Sequence, residues 1–177
     1  ATLTITAKKV AIPAADTTVF TYDGNAKTYG IADTADYTVT GNSQTNAGDH
    51  TVTVALKDKA TTAWADGTTA DKTYTFTIKQ ATPTGEPAYT KITTSGKKLS
   101  DAALTTTGGT FSVPGTVQWV DDTGAALPGT TTVEANKLYK WVFTPSDSTN
   151  YESINGSIKL WSKSTSSGGG SYYAPVV

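Results

Sequence analysis

TNAGDHTVTVALKD, residues 45–58, begins as a turn and continues as a strict alternation. His50, Val52, Val54 and Leu56 fall on one side; Thr51, Thr53 and Ala55 fall on the other. Successive side chains of a strand point to opposite faces, so a period of two predicts a strand with one face buried. LTITA (3–7), with Leu3 and Ile5 in phase, and KTYTFTIK (72–79), with Tyr74, Phe76 and Ile78 in phase, repeat the pattern. Strands of this kind build antiparallel sheets with one solvated face. The chain carries 37 threonines among 177 residues. β-branched residues lose rotamer freedom in helices and suit pleated surfaces, so composition and periodicity agree on an all-β fold class.

In FTYDGNAKTYGI (20–31), Asp23-Gly24 between aromatic residues predicts a hairpin. KQATPTGEP (79–87) breaks the alternation with two prolines and a glycine and marks a domain boundary. A second series of strands is expected at TFSV (110–113), GTVQWVD (115–121), KLYKWVFT (137–144) and SIKLW (157–161), with Asn155-Gly156 as a two-residue hairpin turn. LSDAALT (99–105) offers one helical turn starting at Asp101, with Ser100 as its cap. STSSGGGSYYAPVV (164–177) begins with flexible-linker composition. The expected organisation is two small, mainly antiparallel β domains in tandem, residues 1–80 and 88–162. A linker at 81–87 joins them, and a Ser/Gly-rich tail follows at 163–177. Trp119, Tyr139, Trp141 and Phe143 are the expected core of the second.

Composition narrows the function classes. There is no Cys and no Met, so neither disulfides nor thiolate chemistry operate. All 14 basic residues are Lys, and the formal net charge is -1. Nucleic-acid binding relies on a basic stripe, preferably with Arg, and the Lys residues here are scattered. No apolar run approaches the roughly 18 residues of a membrane span, so no membrane contact is expected. The text starts directly in strand-like sequence and is read as a piece of a longer protein. No cofactor is expected, and a monomer is.

His50 is the only histidine. Setting the expected strand of the second half against that of the first, with His50 opposite Tyr139, brings Val52 opposite Trp141. Immunoglobulin-type sandwiches carry a Tyr near the start of one strand, two residues before a core position, whose hydroxyl bonds backbone upstream. His50 is expected to fill that place, packing its ring and bonding backbone through one nitrogen. No G-x-S-x-G motif or Cys accompanies it for nucleophilic catalysis. One His cannot make a zinc site of three or four ligands.

Trp64, in ATTAWADGTT, lies outside any alternating strand and is a candidate for stacking on a sugar ring, as is Trp161. Asp33/Asp36, Asp121/Asp122 and Asp147/Asn150 lack a complete calcium-loop spacing and read as turn residues. Asp121 opens DDTG, a turn after GTVQWV. A Lys–Asn isopeptide between Lys8 or Lys9 and Asn155 would have to join different domains.

Tyr22-Asp23-Gly24, Tyr37-Thr38-Val39, Asn46-Ala47-Gly48 and the alternating strand after them resemble the YDG-type repeat modules found in tandem on large bacterial surface proteins. The likeness covers most of residues 17–79; His50 stands where such repeats usually carry Tyr. GTVQWVD, LYKWVFTPSDSTNY and GSIKL are similar to another surface-repeat pattern, and GGGSYYAP resembles linkers before wall-anchoring modules. The resemblance implies immunoglobulin-like sandwiches, with a β-grasp-like sheet as the alternative for the first domain. It also implies an extracellular, cell-wall-associated setting in a Gram-positive bacterium. The expected function is a non-catalytic spacer, part of an adhesin stalk, with no catalytic residues. Its partners would be neighbouring domains and a host or cell-wall glycan or protein. The competing readings are a carbohydrate-binding module using Trp64 or Trp161, and a non-catalytic fragment of a surface hydrolase.

Overall fold

The computed structural model describes residues 6–163. The chain is all-β, and its only helical element among the described residues is a single 3-10 turn, Leu99–Ala102. Among the described residues two compact units form, one within 1–83 together with 145–153 and the other within 84–144 together with 154–177.

Among the described residues the first unit contains eight strands: β1 (Lys8–Val10), β2 (Phe20–Thr21), β3 (Lys27–Thr28), β4 (Tyr37–Thr40), β5 (Ser43–Gln44), β6 (Gly48–Leu56), β7 (Thr62–Trp64) and β8 (Lys72–Lys79). Its main sheet has the order β2-β8-β6-β4. β6 lies antiparallel to both β8 and β4, while β2 joins β8 in parallel. The alternating stretch read from the sequence is thus the centre of the sheet. Val52, Val54 and Leu56 of β6 meet Phe76 and Ile78 of β8 in the buried core, completed by Val10, Tyr29, Ile31 and Trp64. A parallel pair, β1-β7, and an antiparallel pair, β3-β5, complete the unit.

Two expectations change here, and a third lies outside the described residues. LTITA falls largely outside the described residues. Asp23-Gly24 does form a turn, with Gly24 at φ 82 and the Asp23 carboxylate accepting from the Asn25 N–H at 2.9 Å. It is not a hairpin, however, because β2 pairs with β8 and β3 with β5. The stretch 57–71 supplies β7 in place of the packed helix that a β-grasp arrangement requires.

The second unit contains β9 (Ala88–Tyr89), β10 (Leu104–Thr105), β11 (Gly115–Val120), β12 (Leu138–Pro145) and β13 (Ile154–Lys159). β9 and β10 pair antiparallel, and the larger sheet has the order β11-β12-β13. Trp119, Tyr139, Trp141 and Phe143 are buried together with Ile92, Leu99 and Leu160. The 3-10 turn starts at Leu99, so Lys98 stands at its N-cap where Ser100 was expected; the Asp101 carboxylate accepts from the Lys98 N–H at 2.8 Å. TFSV makes no strand, although Phe111 stacks on Phe143 with ring centroids 3.9 Å apart.

The Asn155-Gly156 turn is overturned. Both residues lie inside β13, opposite Val142 and Trp141. A Cβ on Gly156 would come within 2.5 Å of the Trp141 ring. The glycine is there because the indole lies across the strand, a close backbone approach rather than a bend.

Candidate functional site

β6 begins immediately after Asn46-Ala47, and its third residue is His50. The strand directs the imidazole back toward this turn, where Nε2 lies 2.8 Å from the Asn46 carbonyl oxygen. A carbonyl only accepts, so Nε2 carries the proton and donates. The half-buried ring packs on Phe76, its partner across the ladder, with centroids 5.3 Å apart. Tyr139, placed early in β12, does the same with a hydroxyl: it accepts from the Glu134 N–H at 2.8 Å and donates to the Thr132 carbonyl at 3.2 Å. Both rings tie the start of a core strand to the turn before it. They differ in depth, since Tyr139 is buried against Trp119 and His50 sits at the rim of its core.

Trp64 departs from its expected place. It ends β7, is 0% exposed, and donates from Nε1 to the Ala70 carbonyl at 2.8 Å. Its ring faces Tyr37 within the first core, leaving no face for a sugar. The sequence suggested a loop because only one of its two strand neighbours, Ala63, is apolar; β7 is buried at all three residues and shows no alternation. Trp161 is half-buried against the second core, and its carbonyl accepts from the Asn136 N–H. Trp119 is buried and donates to the Ala102 carbonyl at 3.1 Å, and Trp141 meets Phe111 edge-on.

Members of the aspartate pairs brace backbone or engage lysines. Asp33 accepts from the Val39 N–H at 2.6 Å, while Asp36 pairs with Lys8. Asp121 accepts from Thr123 and Ala125 in the turn after β11, and Asp122 pairs with Lys140 at 2.9 Å. The Thr123 hydroxyl, followed by these N–H groups, holds the Asp121 carboxyl below the usual value of 3.8. Asp147 accepts from both the backbone and side-chain nitrogens of Asn150. Asn150 in turn is buried and accepts the Ala47 N–H at 2.7 Å. This amide belongs to the same turn whose carbonyl holds His50, a connection that a separation of 103 residues hid from the sequence. Lys8 engages Asp36, Lys9 reaches the Trp64 carbonyl, and Asn155 lies in the other unit. Among the described residues no three His, Cys, Asp or Glu side chains converge on a metal-sized site, and no helix is long and apolar enough to cross a membrane.

Comparison with family models, with curated proteins and with solved structures finds no match for this chain.

Proposed function

We propose that the chain is a non-catalytic structural segment, a pair of β modules that acts as a spacer in a bacterial cell-surface protein. The observation that carries this reading is what the chemically distinctive side chains bond to. The imidazole of His50 secures the turn before β6, and the indole of Trp64 secures the connection to β8. The carboxylates of Asp33, Asp121 and Asp147 brace turns. Most groups that could have served chemistry or sugar recognition hold local backbone, while Asp36 and Asp122 pair with lysines and Trp161 packs half-buried on the second core. Preserving form under load requires this kind of use, whereas a catalyst leaves such groups directed at a substrate. The surface setting rests on the likeness of residues 17–79 to YDG-type repeats.

A glycan array probed with the 177-residue chain tests the reading. The expected result is no reproducible glycan. A hit that is lost in Trp161→Ala would replace the spacer with a carbohydrate-binding module.

A further inference from the structure

The sheet edges of this protein are treated unequally. Outside β4, the Asp33 carboxylate takes the Val39 N–H at 2.6 Å, the Thr34 hydroxyl takes the Tyr37 N–H, and the Thr34 N–H takes the Tyr37 carbonyl. Outside β11, the Leu127 N–H takes the Trp119 carbonyl at 2.9 Å, and Val120 bridges to Ala126. Side chains and loops thus occupy the places where another strand could pair, the usual protection of an edge. β2, the remaining edge of the main sheet, is only two residues long.

β13 is different. It is six residues long and pairs with β12 along one side. Among the described residues no strand lies on its other side, and no hydrogen bond outside the ladder uses the backbone of 154–159. Every second residue of an antiparallel strand turns its N–H and C=O away from its partner, so β13 presents outward donors and acceptors at strand spacing.

Two depressions flank this edge, and Asn155, Gly156 and Ser157 line both. One, about 420 Å³, is walled by Pro87, Tyr89 and Trp141. The other, about 410 Å³, is walled by Asp121, Asp122 and Lys140. Tyr89 is 40% exposed. The Asp122 side chain stays 92% exposed even while paired with Lys140, which leaves it open to a further cation.

We propose that the β13 edge is a strand-addition site for an extended peptide that alternates aromatic or apolar side chains with lysines. The peptide backbone would pair with the outward groups of β13. Alternate side chains would fall into the Tyr89–Trp141 depression on one face and beside Asp121 and Asp122 on the other. Main-chain bonds supply affinity in this mode, and pockets for alternate side chains supply selectivity. The site is independent of the spacer reading and lies wholly within the second unit.

The test uses the synthetic peptide acetyl-Lys-Phe-Lys-Val-Lys-Phe-amide, with a scrambled peptide of equal composition as control. Titration of the 15N-labelled chain is expected to give a Kd below about 1 mM and slowed amide exchange at alternate residues of 154–159. N-methylating the peptide at alternate positions in one phase should weaken binding at least ~10-fold, while the opposite phase is tolerated, because only one set of N–H groups faces β13. Asp122→Lys, at an exposed position, should weaken the lysine peptide by about 5-fold through charge reversal. The proposal is overturned if the peptide fails to bind, if the scramble binds equally, if both methylation phases are tolerated, or if protection appears at β4 instead. It is equally overturned if chito-oligosaccharides shift the Tyr89 and 155–159 resonances while the peptides do not; the groove would then belong to sugars.

Discussion

His50 and Tyr139 solve one problem with different chemistry: each ends a turn by donating to a carbonyl a few residues upstream while its ring covers the strand beside it. His50→Tyr should therefore keep the fold, since the phenol supplies both ring and donor. His50→Asp removes the donor and sets a carboxylate facing the Asn46 carbonyl, at a cost of about 1–3 kcal/mol. Thermal melts compare the two; equal melting temperatures would show that the ring bears no structural role. Gly156→Ala is expected to be the more damaging small substitution. Its Cβ would meet Trp141 at 2.5 Å, and the Trp141 ring is held in the core against Phe111. Overpacking of this kind costs about 1–3 kcal/mol, and denaturant titration should show a lower midpoint with an unchanged slope.

At the scale of elements, β6 and β8 were legible because their pattern is local. Burial follows every second residue along most of β6 and β8, with Thr filling the solvated face. β7 was missed because a strand buried at every position has no period to read. β13 was misread because Asn-Gly signals a hairpin from local preference, and that preference yields when an indole requires a residue without a side chain. The turn before β6 shows the same limit. The Ala47 N–H is satisfied by buried Asn150, so Asn150→Ala should leave an amide without a partner and cost about 1–3 kcal/mol. Asn150→Asp, which keeps an acceptor oxygen, should retain part of that stability; chemical denaturation of the two variants checks the order.

For the whole molecule, acid is the informative variable. Asp16, Asp58 and Asp121 are held below the ordinary value of 3.8, first by Thr hydroxyls and then by backbone N–H groups. Asp66 is lowered chiefly by Lys72, and Asp23 chiefly by Lys27. A carboxyl with a lowered pKa in the folded state contributes stability above its unfolded pKa and loses it as the pH falls through the folded value. The melting temperature is expected to be flat with pH above about 5 and to drop below about 4. A protein equally stable at pH 3 and pH 7 would contradict it. The first unit is also discontinuous in sequence, because it includes 145–153. The Ala81 N–H bonds the Asn150 carbonyl, the Glu152 N–H bonds the Ala81 carbonyl, and Tyr22 meets Tyr151 edge-on at 5.3 Å. Residues 1–83 expressed alone should melt below the full chain, with the difference restored in part by a 145–153 peptide. The all-β class, the aromatic core of the second unit and the place of His50 could be read from residue order, because alternation and turn chemistry act over a few neighbours. The discontinuous unit, the burial of Trp64, the glycine beneath Trp141 and the open edge of β13 could not. Each depends on which distant segments come to lie together, and that is settled by packing summed over the whole core rather than by any local pattern.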